Sequence, residues 1–472
     1  MTMKMLIAGE WTDRDKKINV CNPYDGSVID QVPEASAGDV DAAVAAAVIG
    51  FDEYKRVPSH KRIEILYKAA ELIRARHEEF ARTIASEGSK TIREARGEVS
   101  RCINTIAISA EEARRICGET LPFDSFPNGV NKKGFYYRFP IGVIAAITPF
   151  NDPLNLVAHK LGPAFAAGNA VVLKPATVTP LSAIKLAEVL LEAGLPPMAL
   201  QVITGPGDVI GDPLVADERI RMISFTGGVD AGLRITKKAG LKKIGMELGS
   251  NSPTIVMDDA DIDPAVDSGV SGAFWAVGQN CIGVQRLLVH APVYEEFRDK
   301  FIARTNKYKV GPQLEEDTDM GPMITEGEAM RVEEWIEQAV DKGGALLTGG
   351  GRDYTRVQPT VFEKLPAGCH LDVDEVFGPV VSLYKVETLE EAIEKANSVN
   401  YGLHAAIFTN DLGRAFKAAY ELDCGGVIIN ESTDYRLDMM PFGGVKQSGL
   451  GREGLKFALQ EMTEPKVICF NL

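Results

Sequence analysis

The sequence predicts an α/β fold of two lobes, each built on a mostly parallel sheet with helices on both faces. Two observations carry this. Residues 142–148, 170–173, 200–204, 222–225 and 254–257 are short apolar runs, as strands buried on both faces must be. Helical stretches at 154–167, 181–192, 209–215 and 231–239 separate them, and strands alternating with helices argue for parallel pairing. A second alternating series supplies the other lobe. Its strands fall at 285–289, 380–384, 405–409 and 426–430, and its helices at 265–277, 294–307, 326–342, 389–397 and 413–422. Sheets of this kind bind ligands where loops gather at the carboxyl ends of the strands.

Before the first sheet, residues 39–51 and 59–87 are predicted helices, with apolar residues three or four apart. A third spans 92–116, ended by Gly118, and Pro122 and Pro127 mark a turn-rich connection. Residues 135–139 and 465–470 are predicted strands outside both lobes, placed to pair at a subunit edge.

Size and composition narrow the function. A chain of 472 residues suggests about three structural units at ~150 residues each. Its 45% hydrophobic content supplies a core without disulfide staples. A net charge of −15 repels phosphate backbones and anionic lipid, so neither nucleic acid nor membrane is an expected partner. The seven cysteines (Cys21, Cys102, Cys117, Cys281, Cys369, Cys424 and Cys469) are odd in number, widely spaced and free of any CxxC pair. That pattern fits reduced thiols and no metal site. The first residues carry no long apolar run, and no stretch approaches the ~18 apolar residues of a membrane helix. The cytoplasm is the expected address.

The chemistry concentrates in a few motifs. Met246-Glu247-Leu248-Gly249-Ser250-Asn251-Ser252-Pro253 precedes Gly278-Gln279-Asn280-Cys281. In chain order around them stand Thr148-Pro149-Phe150-Asn151, Leu173-Lys174-Pro175, Ser224-Phe225-Thr226-Gly227, Glu375-Val376-Phe377-Gly378-Pro379, Pro441-Phe442-Gly443-Gly444 and Ser448-Gly449. Through this ordered set nearly the whole chain resembles the aldehyde dehydrogenase superfamily. Any one motif alone is weak.

A free thiol has a pKa of ~8.5, so little is thiolate at neutral pH, yet sulfur attacks aldehydes well. Attack creates a tetrahedral oxyanion that needs donors facing it. The resemblance implies Cys281 as the nucleophile, with the Asn151 side-chain amide and the Cys281 backbone N–H as those donors. It implies Glu247 as the base that activates water to cleave a thioester, and Lys160 and Glu453 as a proton relay beside it. A carboxylate at ~4.3 is a weak base, so burial should raise Glu247. Plainer readings stand beside these. A lone cysteine is commonly a small core hydrophobe, a lone glutamate is commonly solvated, and Asn151 could cap a helix starting near Asp152. Lys160 and Glu453 could be a surface or interhelix pair.

The same resemblance implies NAD or NADP as cofactor. Lys174 falls at the adenosine ribose, Glu375 at the nicotinamide ribose and Phe377 beside the ring. Thr148, Pro149, Phe150 and Leu248 are further expected contacts. Gly207 and Gly211 give close backbone approach, though their GxGxxxG spacing differs from the usual dinucleotide fingerprint. Phe225, Thr226, Gly227 and Gly228 lead into a helix whose N-terminus would face pyrophosphate. NAD-preferring relatives often carry a glutamate where this chain has Thr177. That absence implies tolerance of NADP, or a preference for it.

On the substrate side the resemblance points to Arg101, His159, Asn280 and Arg436. The set is similar to enzymes for small polar aldehydes: lactaldehyde, semialdehydes, phosphonoacetaldehyde and glyceraldehyde 3-phosphate oxidised without phosphorylation. Phosphate-binding relatives often have arginine where Asn280 stands, which weakens the case for a dianion. A hydroxyaldehyde or a monoanionic aldehyde is expected instead. Arg101 and Arg436 could alternatively pair with neighbouring acids. Rival functions are a coenzyme-A-acylating enzyme, a reductase and a non-catalytic cofactor-binding scaffold; the presence of Glu247 argues against the first two, and Cys281, Glu247 and Asn151 together argue against the third. The implied fold is that of aldehyde dehydrogenases. It has a Rossmann-like cofactor domain (1–117 and 139–246), an α/β catalytic domain (247–440) and a β oligomerisation arm (118–138 and 455–472), in a homodimer or homotetramer.

Overall fold

A computed structural model of the chain describes residues 3–472. Its first sheet has eight strands, in the order Glu10–Thr12, Met5–Ile7, Leu200–Val202, Ala170–Lys174, Val143–Ile147, Ile220–Thr226, Lys243–Glu247, Gly449–Leu450. The middle strands are parallel and the ends antiparallel. The chain runs outward from Val143–Ile147 to one side, then returns to place Ile220–Thr226 on its other side. A crevice opens at such a reversal of strand order.

The second sheet has seven strands, in the order Ala345–Thr348, Thr360–Glu363, Val380–Val386, Val284–His290, Ser252–Val256, His404–Phe408, Gly426–Ile429. A third, of three strands, pairs Thr463–Asn471 with Lys132–Pro140 and then Glu119–Leu121. The predicted strands 135–139 and 465–470 therefore meet each other, with Phe135 opposite Ile468.

Four expectations need correction. Residues 59–87 form two helices, Ser59–Ala75 and His77–Glu87, because Arg76 leaves helical geometry at φ −108° and ψ 23°. The run 254–257 belongs to the second sheet, as Ser252–Val256, since an apolar run cannot say which sheet it joins. The helix expected at 265–277 ends at Phe274, and Ala276, Val277 and Gly278 turn left-handed at φ 49°, 63° and 67°. Lys243–Glu247, which carries the expected base, was not predicted as a strand. Its Lys-Ile-Gly-Met-Glu sequence has neither an apolar run nor clean alternation.

Helix Asn155–Ala167 is buried along its whole length, and Glu98, from helix Ile92–Ala113, anchors its start. Glu98 Oε1 accepts from the backbone N–H groups of Leu154 (2.8 Å) and Asn155 (3.0 Å). Its Oε2 accepts from Lys90 at 2.7 Å, and Lys90 also pairs with Asp152 and lies 4.6 Å over the Trp275 ring. Removing one partner of a buried ion pair strands the other charge. Glu98→Ala is therefore expected to cost about 3–5 kcal/mol in urea unfolding. A loss below about 1 kcal/mol would mean that Lys90 and the two N–H groups find other partners.

Candidate active site

Glu247 is the last residue of the strand Lys243–Glu247, so it projects from the carboxyl end of the first sheet. Register holds it between Thr226 on one side and Gly449 on the other. Cys281 lies in the turn between helix Ile262–Phe274 and strand Val284–His290 of the second sheet. Both side chains line one crevice of about 700 Å³, with Asn151, Lys174, Glu375 and Phe377 on its walls.

Asn151 does not cap helix Asn155–Ala167, since Glu98 takes the N–H groups at that end. Thr148, Pro149 and Phe150 line the crevice just before Asn151, and Phe150 meets Phe377 edge-on with ring centres 5.7 Å apart. Phe377 is itself left-handed at φ 48°. Glu375 enters opposite Gly249 and accepts from the Ser250 N–H at 2.8 Å. A Cβ on Gly249 would lie 2.1 Å from Glu375 Oε2, so only glycine permits that approach.

The crevice has room for a large ligand and offers it close backbone approach along one wall. Gly207, Gly211, Phe225, Thr226, Gly227, Gly228 and Leu248 line it, and a Cβ at Gly207, Gly211 or Gly228 would meet no atom within 4 Å. Helix Val229–Ala239 opens from Gly228 with its N-terminus at this wall. Lys174 is buried at the end of its strand, bonded only to the Pro175 carbonyl at 3.1 Å, and burial lowers its pKa to about 8. A desolvated lysine without a carboxylate partner is a natural ligand for ribose or phosphate oxygen. The Thr148 hydroxyl is likewise buried without a partner among the described residues. Thr177 sits behind the wall, its hydroxyl donating to Gly205 O at 3.1 Å. Asp208, Asp212, Asp230, Arg234, Arg331 and Trp335 also face the crevice, and no sequence signal singled them out. Among the described residues no cluster of His, Cys, Asp or Glu could hold a metal ion, and no helix is long and apolar enough to cross a membrane.

Comparison with known proteins agrees with this geometry. The profile of the aldehyde dehydrogenase family matches residues 11–468. The chain belongs to the aldehyde dehydrogenase family. It is 50% identical to aspartate-semialdehyde dehydrogenase 1 of Pseudomonas canavaninivorans, over 96% of this chain and 97% of that protein. It is 47% identical to 3-sulfolactaldehyde dehydrogenase of Priestia megaterium, over 99% and 98%. Among solved structures it resembles glyceraldehyde-3-phosphate dehydrogenase GapN of Methanocaldococcus jannaschii complexed with NADP. That match has a TM-score of 0.93 and 41% identity, covering 97% of this chain and 100% of that one.

Within this aldehyde dehydrogenase the reactive groups are heavily desolvated. Burial pushes the Cys281 thiol up to about 12; Arg436 opposes the shift, while Glu375, Glu247 and Glu453 add to it. Burial also holds the Glu247 carboxyl well above its usual range, helped by Glu453 and opposed by Arg436, Lys160 and Arg452. Burial acts the same way on Glu453, but Lys160, His159 and Arg436 outweigh it and bring the group down to about 2. Two neighbouring carboxyls are thus driven apart, one ready to hold a proton and one fixed as an anion. Lys160 Nζ reaches Glu453 Oε1 at 3.1 Å, Thr226 Oγ1 at 2.9 Å and Ser224 Oγ at 3.2 Å.

The four residues expected on the substrate side lie outside the large crevice. Arg101 borders a second cavity of about 590 Å³, with Glu94, Glu98, Trp275 and Tyr308. Its guanidinium donates to Asp438 at 2.9 Å and to Asp152 at 3.4 Å. His159 is buried and bonds the same Asp438 oxygen through Nε2, at 2.9 Å. Arg436 stacks 3.6 Å over Phe442 and reaches Glu453 at 3.4 Å. Asn280 is half-buried and accepts from the Ile282 N–H at 3.3 Å. Asp438, the acid that joins Arg101 to His159, escaped the sequence reading. A lone aspartate in a loop carries no distinguishing pattern.

The raised thiol of the half-buried Cys281 has a direct consequence. In the cofactor-free protein, iodoacetamide at pH 7 should label exposed Cys117 and Cys469 well before Cys281, whose rate should keep climbing past pH 9. Peptide mass spectrometry reads the order; labelling of Cys281 first at pH 7 would contradict it.

Proposed function

We propose that the protein oxidises a short polar aldehyde to its carboxylic acid, using NADP or NAD. The preferred substrate carries a hydroxyl or a single anionic group. The reading rests on one observation: Cys281 and Glu247, from different sheets, face one crevice with Lys174, Glu375 and Phe377.

The sequence of steps follows from those residues. Cys281 sulfur adds to the aldehyde carbon, and the Asn151 amide with the Cys281 N–H stabilises the oxyanion. A nicotinamide dinucleotide held by the crevice supplies the hydride acceptor. Lys174 and Thr148 would offer hydrogen bonds to its ribose and phosphate oxygens, Glu375 would accept from a ribose hydroxyl, and Phe377, edge-on to Phe150, would pack beside the ring. Loss of hydride leaves an acyl group on Cys281. Glu247, its carboxyl held above the usual range by burial, takes a proton from water as that water attacks the thioester. Lys160 and Glu453 hold their charges beside it. Hydrolysis is preferred over thiolysis by coenzyme A because this base is present.

The cofactor preference rests on Thr177 and Lys174. A threonine does not repel a 2′-phosphate, and Lys174 has no competing carboxylate. The relative solved with NADP accords with this. For the substrate, both arginines are already bonded to carboxylates, so the pocket presents little free positive charge. A hydroxyl or one anionic group suits it better than a dianion. The relatives named for 3-sulfolactaldehyde and aspartate semialdehyde carry substituents of that polarity.

Kinetics with a panel of short aldehydes and both cofactors tests the whole reading. Expected are activity with hydroxyaldehydes or semialdehydes, and kcat/KM for NADP at least equal to that for NAD. Thr177→Glu should lower the NADP value by about tenfold or more, a like-charge penalty of roughly 1–2 kcal/mol. A hundredfold NAD preference in the unaltered protein would contradict the cofactor assignment. Arg101→Ala should raise KM for the best polar aldehyde; an unchanged KM would remove Arg101 from the substrate site.

A further inference from the structure

Behind the proposed base lies a third, much smaller cavity of about 20 Å³, lined by the polar side chains of His159, Ser224, Glu247, Arg452, Glu453 and Glu461 and by apolar ones such as Met222 and Met462. One water needs roughly 10–15 Å³ by this measure, together with two or more polar partners. The volume therefore suits a single molecule. Most of the lining groups are already engaged. Ser224 and Glu453 take Lys160, Glu453 also takes Arg436, and Arg452 donates to the Gly444 and Gly451 carbonyls. Two atoms remain buried without a partner among the described residues: Glu247 Oε2 and His159 Nδ1. Their residues are only 3% and 1% exposed, so bulk solvent does not satisfy them. Two unpartnered polar atoms whose residues line one small cavity call for a common partner.

Donor and acceptor roles are fixed by the far side of the imidazole. Asp438 is ionised, its pKa held below the usual range against burial by His159 and Arg101, so it can only accept. Burial, with Arg436 beside it, lowers the His159 pKa and favours the neutral ring, so the single proton sits on Nε2 against Asp438 and Nδ1 is left bare. A carboxylate oxygen and an imidazole lone pair are both acceptors, and a water has two hydrogens to give.

We propose that this cavity is a water site, that its water donates to both Glu247 Oε2 and His159 Nδ1, and that His159 is thereby a positioning residue for the base. His159 does not contact the substrate in this account. Asp438 sets its tautomer, the imidazole orients the water, and the water stabilises the ionised form of Glu247. The other charges facing Glu247 are Glu453, which opposes its ionisation, and Arg436, Lys160 and Arg452, which favour it. The bound water adds to the favourable group. When Glu247 accepts a proton from the hydrolytic water, its new O–H donates to the same site, so the proton has a defined partner.

The inference rests on Glu247 as the base, which Glu247→Gln tests separately. That variant should lose steady-state turnover at every pH; normal turnover would remove the base assignment and leave the His159 question moot. His159→Phe tests the water site itself, by stopped-flow measurement of reduced cofactor across pH. The acid limb of steady-state kcat should move up by about one pH unit, slowing turnover near neutrality about tenfold. A burst of one reduced cofactor per site should precede it at the rate of the unaltered protein, with kcat/KM for the aldehyde changed less than about twofold, because slower deacylation lowers kcat and KM together. His159→Gln, whose side-chain carbonyl can still accept, should keep the midpoint close to its original value. If the phenylalanine protein does not fold, His159→Leu carries the same expectation. An unmoved acid limb would overturn the proposal. So would a slowed burst with a raised KM, which would make His159 a substrate contact.

Discussion

The proposed nucleophile and base belong to different sheets, and they can cooperate only if the segments carrying them come close together. The molecule meets this constraint with glycine. A Cβ on Gly278, three residues before Cys281, would lie 2.3 Å from the Gly378 carbonyl oxygen, beside the Phe377 turn. One on Gly449 would lie 2.4 Å from the Met246 carbonyl, beside Glu247. One on Gly249 would collide with Glu375. These three close approaches join the thiol loop, the base strand and the Glu375 loop. Ala276 and Val277 adopt left-handed geometry just before Gly278, an uncommon state for residues with side chains and more so for a β-branched one. The Ala276 N–H is held by Glu94 at 2.9 Å.

Charge is the second constraint. Around Cys281 and Glu247 the chain buries Lys90, Glu98, Asp152, Lys160, Asp438 and Glu453, with Arg436 almost fully covered. Such a concentration is tolerable only when every cation has a carboxylate neighbour. Lys90 has Glu98 and Asp152, Arg101 has Asp438 and Asp152, and both Lys160 and Arg436 have Glu453. Glu247 has no ion-pair partner of its own among the described residues, and burial holds its carboxyl above the usual range. Function and stability use the same set of charges.

Much of this was legible in the chain, for specific reasons. Glu247, Cys281 and Asn151 stand in short ordered motifs, and a motif survives without knowledge of the packing around it. The buried parallel strands at 143–147 and 170–174 announce themselves as unbroken apolar runs. Lys243–Glu247 does not, because it lies next to the short edge pairing with Gly449–Leu450 and its lysine, glycine and glutamate sit where a central strand would be apolar. Asp438, Asp152 and Lys90 acquire meaning only from partners as distant in sequence as Asp438 is from Arg101. Pairings of that range depend on how helices Ile92–Ala113 and Asn155–Ala167 pack, which no local pattern encodes. The ion pairs of Arg101 and Arg436, the alternative to their expected roles as anion anchors, were out of reach of the sequence for the same reason.

The claim beneath all of this is that an acyl group forms on Cys281 and that Glu247 removes it. Intact-mass spectrometry of Glu247→Gln, mixed with a turned-over aldehyde and oxidised cofactor, addresses it directly. The account predicts a stable mass increase equal to one acyl group per chain, mapped to Cys281 and absent when Cys281 is replaced by alanine. An unmodified protein that had nonetheless produced one equivalent of reduced cofactor, or an adduct on another cysteine, would contradict it.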